Sequence, residues 1–356
     1  MRNVGDEALV HLQGLTGLRK LKLGNTDIYR GFGLENVVIV GFPRAEKKIT
    51  DAGLVHLRAL TRLEYLSLFG ANISGPGLTY LRGLTELQEL HLDDTNISDS
   101  ALMHIKGFAK LQALSLDKTP VTDAGLVYLQ GLTNLQRLDL RGNKIIGSGL
   151  VYLRGMNKLR ELFLSKTLID NASLVHVREL SCVGTLDLEG TQVNDAGLVH
   201  LCDLSTLETL YLSHTMVSDA GLVHLRELSD MVALGLEATR VSDVGVVNLR
   251  GLTALELLNL SDTAITDLAM LHVQKLRRLE TLLLGGTHIT DNALQQLKEL
   301  SQLRELDLGS TSISDSGLYF LQDLTSLRWL DLSGTSVSAH TVDQLRRALP
   351  NCTIEK

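Results

Sequence analysis

The sequence predicts an α/β solenoid, in which short parallel strands stack on one side and short helices on the other. A leucine recurs every 24 residues from Leu68 to Leu332, and a fixed period of this length is typical of a solenoid. Each of these leucines is the second of an L-x-L pair, and the alternation of side chains along a strand turns both leucines into the core. A segment of the form D-x-G/A-L-x-x-L follows, and it predicts a short capped helix.

We call a set of equivalent positions in successive repeats a column. Two columns of polar residues accompany the leucines of the 24-residue repeat. A threonine follows the strand in most repeats, as at Thr215. We expect its hydroxyl to satisfy backbone groups of the turn, since buried polar groups need partners. An aspartate begins the helical segment, as at Asp219, and we expect it to be the helix N-cap. We therefore interpret these aspartates as structural and not as catalytic carboxylates.

The repeat LSTLETLYLSHTMVSDAGLVHLRE, at residues 204–227, resembles the leucine-rich repeat family. Its L-x-x-L-x-L-x-x-T frame has Thr where the family usually has Asn or Cys, whereas Asn143 keeps the usual residue in one repeat. The following I/V-x-D-x-G/A-L segment is similar to the helix-bearing class of F-box-type and many bacterial repeat proteins. The resemblance implies a leucine-rich repeat solenoid, or horseshoe, with a parallel β-sheet on the concave face and short helices on the convex face.

The repeats extend over residues 1–356, so we expect a single solenoid of about 13 repeats. Val4–Leu9 matches only the second half of a repeat, and we expect the chain to begin in mid-repeat. Residues 29–48 interrupt the period and fit either an insertion or a degenerate repeat. In the second case the strand positions would be Leu34, Val37 and Ile39. Residues 346–356 are expected to close the array with a last short strand.

Composition and motifs argue against several classes of function. The chain carries 34 basic and 41 acidic residues, a net charge of −7, which disfavours a nucleic-acid partner. No run of about 18 apolar residues occurs, so we expect no membrane span. The first residues lack the apolar core of a signal peptide, so we expect a cytoplasmic location. No P-loop, dinucleotide fingerprint, HExxH motif or nucleophile elbow is present. We therefore expect no enzyme, no cofactor and no metal site.

Histidine is the residue type most suggestive of a site. Seven of the eleven histidines occupy one column of the helical segment, namely His11, His56, His104, His176, His200, His224 and His272. Tyrosine, asparagine, glutamine and phenylalanine fill this column in other repeats, which argues against a metal site. We interpret it as a half-exposed position that favours amphipathic side chains. As an alternative hypothesis, His176, His200 and His224, which lie in consecutive repeats, form a ladder whose titration makes stability sensitive to pH.

The outward side of the predicted sheet varies most between repeats, and we predict it to be the binding face. Exposed aromatic residues are frequent at binding hot spots, and an acidic group on this face would suit a basic partner. The candidate partner-binding residues are Tyr65, Phe69, His91, Asp93, Asp117, Asp139, Phe163, Tyr211, Leu257, Leu283 and Trp329. Scattered exposed residues of these types also occur on surfaces without any function.

These observations predict a monomeric, non-enzymatic scaffold that binds a protein ligand on the concave face. Two alternatives remain open from the sequence. One is the substrate-recognition part of a ubiquitin-ligase-type adaptor, a resemblance that lies in the repeat type only. The other is an extracellular receptor or adhesin ectodomain, which would carry glycans at sequons. The sequons begin at Asn72, Asn96, Asn171, Asn259 and Asn351.

Overall fold

The computed structural model describes residues 5–24, 37–41 and 49–356, with the backbone alone for Gly24 and residues 37–41. The chain forms two compact units. Unit 1 comprises Met1–Ile169 and Val175–Val183, and unit 2 comprises Asp170–Leu174 and Gly184–Lys356. In both units short parallel strands alternate along the chain with short helices. The predicted α/β solenoid is therefore confirmed.

Unit 1 contains seven described strands that form a parallel sheet. They are β1 (Lys20–Gly24), β2 (Val37–Gly41), β3 (Tyr65–Ser67), β4 (Glu89–His91), β5 (Ala113–Ser115), β6 (Arg137–Asp139) and β7 (Glu161–Phe163). Strands β3 to β7 pair in chain order and in one register, so that Tyr65 lies opposite Glu89 and Ser67 opposite His91. Equivalent residues of successive repeats therefore form straight rows across the sheet.

Strand β2 lies at the edge of the unit 1 sheet. It follows β1 in the chain but pairs with β1 on the side opposite to β3. The register places Val38 opposite Leu21 and Val40 opposite Leu23. Val38 and Val40 therefore occupy the positions equivalent to the paired leucines. The degenerate-repeat alternative placed Val37 and Ile39 there, one residue earlier in the chain. The other residues of the segment 29–48 lie outside the described part of the chain.

Unit 2 contains eight strands that pair in chain order. They are β8 (Thr185–Asp187), β9 (Thr209–Tyr211), β10 (Ala233–Gly235), β11 (Leu257–Asn259), β12 (Thr281–Leu283), β13 (Glu305–Asp307), β14 (Trp329–Asp331) and β15 (Thr353–Glu355). Strand β15 lies in the segment 346–356 and pairs with β14, with Ile354 opposite Leu330.

The helices are short. The α-helices are α1 (Asp6–Leu9), α2 (Leu174–Val177), α3 (Asp195–Leu198), α4 (Asp219–Leu222), α5 (Asp243–Val246), α6 (Met270–Val273), α7 (Asp291–Leu297) and α8 (Ala339–Ala348). The 3-10 helices are Val10–Leu12, Gly53–Leu57, Pro76–Leu81, Asp99–His104, Asp123–Leu129, Ser148–Leu153, Val247–Gly251, Asp267–Ala269 and Gly317–Leu321. In the described part of the chain, none of them has the length and apolar character needed to cross a membrane.

The leucines of the L-x-L pairs form the core of each unit. Leu66 and Leu68 in unit 1 are fully buried, as are Leu210 and Leu212 in unit 2. Truncating one such leucine to alanine costs about 2–5 kcal/mol in a close-packed interior. Each repeat of a solenoid contacts only its neighbours, so the constant 24-residue spacing is a packing requirement.

A threonine and a left-handed residue shape the turn after the strand. The Thr215 hydroxyl donates to the carbonyl oxygen of Leu212 at 2.6 Å, and the same bond recurs in other repeats, which confirms the predicted role of threonine. The residue before the threonine has a positive φ, which glycine adopts without strain. Glycine occupies this position at Gly190, with φ of 65°, whereas alanine occupies it at Ala238, with φ of 52°.

The aspartate column has a different role from the predicted one. In most repeats the N-cap is the residue before the aspartate, as at α4, where the Ser218 hydroxyl accepts a hydrogen bond from the N–H of Ala220. Asp219 lies in the first helical turn, and its carboxylate accepts from the next repeat, at 2.7 Å from the Ser242 N–H and 2.6 Å from the Ser242 hydroxyl. The prediction of an aspartate N-cap is therefore wrong by one residue. Serine caps as well as aspartate does, and the carboxylate gains charge-assisted bonds by joining two repeats.

The carboxylate bridge between successive repeats recurs in both units. It joins Asp99 to Thr122, Asp195 to Ser218, Asp243 to Thr266, Asp267 to Thr290 and Asp291 to Ser314. At Asn171 a side-chain amide oxygen takes the place of the carboxylate, and it accepts a hydrogen bond from the Asn194 N–H at 2.9 Å. The glycine two positions after the aspartate column makes room for the bridge, also at Gly77, where Gly75 occupies that column. The Gly77 N–H donates to Asp51 Oδ1 at 2.8 Å, and a Cβ on Gly77 would lie 2.8 Å from that same oxygen.

The bridge at Asp291 makes stability depend on pH. Burial opposes ionisation of Asp291, but hydrogen bonds from the hydroxyls of Ser314 and Ser316, and from the N–H groups of Ser314 and Gly317, outweigh it and hold the pKa below its usual range. Asp291→Asn should therefore lower the free energy of unfolding at pH 7 by about 1–3 kcal/mol. A lowered folded-state pKa stabilises the fold above the unfolded-state pKa, and the effect is lost as the pH falls through the folded-state pKa. The difference between wild type and variant should thus shrink below about pH 4.

Urea unfolding measured from pH 7 down to pH 3 tests this prediction. Asp230→Asn changes an exposed aspartate of unit 2 and is the matched control, which should alter the free energy of unfolding by less than about 0.5 kcal/mol. An Asp291→Asn deficit that is the same at every pH would contradict the bridge.

The left-handed turn predicts a stabilising substitution. Ala238→Gly should raise the free energy of unfolding by about 0.5–1 kcal/mol, because alanine is strained at positive φ and glycine is not. Ala196→Gly in helix α3 is the control and should lower the free energy of unfolding by about 0.5–1 kcal/mol, since the backbone there is helical. Urea unfolding of the two variants measures both effects, and a loss of stability in both would refute the assigned strain.

Candidate functional site

The strand face is the outward side of each sheet, formed by the middle residue of each L-x-L pair and the residues two before and two after it. In unit 1 this face contains a groove of about 480 Å³ over strands β3 to β6. Six of the predicted partner-binding residues line this groove, namely Tyr65, Phe69, His91, Asp93, Asp117 and Asp139. Its other lining residues are Glu89, Ala113, Ser115, Arg137 and Arg141. The volume lies within the range of small-ligand sites.

Small side chains on β5 create the groove. The register places Ala113 between Glu89 and Arg137, and Ser115 between His91 and Asp139. Neighbouring strands lie about 4.8 Å apart, so long side chains on β4 and β6 stand on either side of a low floor. The groove therefore follows from a local change of side-chain size on a regular backbone.

Asp93 is a buried carboxylate at the edge of this floor. It is 4% exposed, and its Oδ1 accepts hydrogen bonds from the Ser115 hydroxyl and, at 3.2 Å, from the Asp117 N–H. Its Oδ2 is buried and has no hydrogen-bond partner among the described residues. Burial raises the pKa of Asp93, and the nearby Asp139 carboxylate adds to this, against the opposing effects of Ser115 and His91.

His91 lies between two carboxylates. Its Nδ1 is 3.8 Å from Asp93 Oδ2, and its Nε2 is 3.7 Å from Glu89 Oε2. The imidazole packs against the Tyr65 ring, with 5.2 Å between the ring centroids. Interaction with His91, opposed by burial, holds the pKa of Glu89 below its usual range. This end of the groove is therefore aromatic and acidic.

Two arginines form the opposite wall. Arg141 Nη2 and Nε donate to the buried Asp139 carboxylate at 2.6 and 2.9 Å, and Arg137 Nη1 donates to Glu161 at 2.5 Å. Both guanidinium groups lie over the Phe163 ring, at 4.4 Å for Arg137 and 5.3 Å for Arg141. Phe163, also a predicted site residue, therefore supports the basic wall from the neighbouring strand β7. The charges of both arginines are engaged by carboxylates of unit 1.

The four remaining predicted residues lie in unit 2, and they are Tyr211, Leu257, Leu283 and Trp329. All four are half-buried on the strand face. They are spread from β9 to β14, five strand spacings or roughly 24 Å, so they do not form a single pocket. The Tyr211 ring is close to Gly235, where an added Cβ would lie 3.0 Å from it, and Trp329 Nε1 donates to Glu355 at 3.1 Å.

A second acidic group lies on the strand face of unit 2. Burial raises the pKa of Asp307, and the carboxylates of Asp331, Asp262 and Glu237 raise it further. A hydrogen bond from the Gly309 N–H acts in the opposite direction and lowers this pKa.

Among the described residues, no group of three or more histidines, cysteines, aspartates or glutamates is arranged to hold a metal ion.

Sequence reasoning missed five lining residues of the unit 1 groove. Glu89 and Arg137 belong to the row of Tyr65, while Ser115 and Arg141 belong to the rows of His91 and Asp93. The available signal was the small pair Ala113 and Ser115 at outward positions, which marks a depression. A choice of aromatic, apolar and acidic side chains leaves out the small residues of the floor and the arginines of the wall, and Glu89 was not chosen although it is acidic.

Family models match two parts of the chain. A model described as leucine rich repeat matches residues 277–337, and a second leucine rich repeat model matches residues 131–153. Both regions contain the L-x-x-L-x-L frame from which the resemblance was drawn. No curated protein sequence matches the chain.

Solved structures show the same fold at low identity. An internalin (inlF) from Listeria monocytogenes is 20% identical with a TM-score of 0.69, covering 99% of this chain and 89% of its own. A leucine-rich repeat protein of Leptospira interrogans is 20% identical with a TM-score of 0.64, covering 100% and 93%. The plant peptide hormone receptor RGFR1, solved in complex with RGF2, is 15% identical with a TM-score of 0.51, covering 95% and 64%. The repeated sequence, the family-model matches and the shared fold identify this chain as a leucine-rich repeat protein.

Proposed function

We propose that this protein is a non-enzymatic scaffold that binds a protein partner on its strand face. The observation that carries the proposal is the groove of unit 1, where aromatic, acidic and basic side chains converge on a rigid sheet. Binding sites combine a concave surface with a few placed polar groups, and aromatic and arginine side chains are frequent among hot spots. The surface thus offers the chemical features of a recognition site.

The solved structures of similar fold are consistent with a binding role. One of them is a plant peptide hormone receptor in complex with RGF2. Its identity of 15% relates the two chains by fold alone, so the support is for the type of surface and not for the ligand. Because fold does not determine function, the proposal rests mainly on the groove of this chain.

The half-buried aromatic residues of the strand face test the proposal. The bait variant changes Phe69, which lines the groove, together with Phe163, Tyr211 and Trp329 to alanine. It is compared with wild type by affinity capture and quantitative mass spectrometry. A specific partner should be recovered by wild type and reduced about tenfold or more with the variant, since truncating hot-spot aromatics costs about 2 kcal/mol or more each. Circular dichroism first establishes that both baits are folded.

The matched control changes aromatic residues on the helix side. Tyr80 and Tyr319 are 40% and 71% exposed, and changing both to alanine should leave the captured partner unchanged. Equal loss with the control variant, or equal recovery with the strand-face variant, would show that the strand face is not the binding surface.

A further inference from the structure

We propose that the groove of unit 1 holds a basic side chain of the protein partner, with its positive charge beside Asp93. This inference rests on the proposed function and specifies one position of the ligand, an arginine or a lysine. The reasons are the state of the Asp93 carboxylate, the distribution of charge along the groove and the aromatic side chains on its wall.

The two oxygens of the Asp93 carboxylate differ in their hydrogen bonding. Oδ1 is bonded to Ser115 and Asp117, whereas the buried Oδ2 has no hydrogen-bond donor among the described residues. A buried carboxylate oxygen without a donor is unfavourable. The Nδ1 of His91 lies 3.8 Å from Oδ2, beyond hydrogen-bonding distance. A cationic ligand in the groove, which Asp93 lines, would supply the missing donor.

The charge of the groove favours a cation at this end. Arg141 forms an ion pair with Asp139, and Arg137 forms one with Glu161. Asp117 pairs with the exposed Lys118 at 3.0 Å. At the aromatic end of the groove, the Glu89 and Asp93 carboxylates would repel an anionic ligand. The same carboxylates would attract a cationic ligand, and the arginines of the opposite wall would repel it.

The aromatic wall selects the shape of the cation. Tyr65 and Phe69 line the groove beside His91 and Asp93. An arginine guanidinium is planar, stacks on aromatic faces and is weakly hydrated, and a cation near an aromatic face gains further attraction. These properties favour arginine over lysine, although both provide the positive charge that Asp93 requires.

Peptide titrations observed by NMR test this inference on the full chain. The probes are acetyl-Ala-Arg-Ala-amide, its lysine analogue and its citrulline analogue, which keeps the shape of arginine without the charge. Histidine is labelled with ¹³C at Cε1, and the His91 signal is assigned by its absence from the His91→Gln spectrum. The arginine peptide should shift the His91 signal in a saturable way, the lysine peptide should do so with lower affinity, and the citrulline peptide should leave it unchanged.

A pair of variants separates a specific site from general attraction. Asp93→Asn keeps an oxygen acceptor for Ser115 and removes the charge, and it should weaken arginine-peptide binding by about tenfold or more. Glu237→Gln is the control, because Glu237 is acidic and occupies the column of Asp93 in unit 2, and it should change the affinity by less than about twofold. The signals of His200 and His224 report whether each variant is folded.

Three results would overturn the inference. They are equal binding of the citrulline peptide, equal weakening by Asp93→Asn and Glu237→Gln, and no shift of His91 with the arginine and lysine peptides. In each case a partner that is lost from the strand-face aromatic variant still supports the proposed function, so the two proposals fail separately. The comparison of arginine with citrulline uses wild-type protein, and it remains decisive if Asp93→Asn does not fold.

Discussion

Each repeat buries its strand leucines against the repeats on either side, and this packing requires an unbroken 24-residue register. The polar contacts reinforce the same register. A threonine closes the turn within its own repeat, as Thr215 does on Leu212, while an aspartate reaches the following repeat, as Asp219 does on Ser242. The apolar core and the carboxylate bridges therefore impose one spacing, and an insertion within a repeat would disturb both.

This constraint leaves the outward residues of the strands free to vary. The middle residue of the L-x-L pair contributes nothing to the leucine core, so it can be serine, histidine, aspartate or phenylalanine at successive strands β3 to β7. The backbone beneath these side chains is fixed by the core. The groove over β3 to β6 therefore arises because small side chains, Ala113 and Ser115, stand between larger ones.

The burial of Asp93 is not required by the repeat. The same column holds residues such as Arg141 and Glu237, which are more exposed. A carboxylate at Asp93 is desolvated and one of its oxygens lacks a donor among the described residues, which is unfavourable for the isolated fold. A residue that weakens folding but would gain from a cationic ligand is more readily understood as a binding residue than as a structural one. The aspartates of the helix column are the contrasting case, because their carboxylates are fully engaged between repeats.

The sequence by itself determined the α/β solenoid, the leucine core and the strand positions, because a 24-residue period with two-residue alternation has few other physical solutions. It also placed six of the groove residues on one face, since their columns are fixed by the register. It did not determine which side chain caps each helix, because serine, threonine and aspartate in adjacent positions all have the chemistry of an N-cap. Only the tertiary structure showed that Asp219 bonds to the next repeat and that strand β2 pairs at the edge of β1. It likewise decided that Asp93 is buried beside a groove, since burial and missing hydrogen bonds depend on neighbours contributed by other repeats.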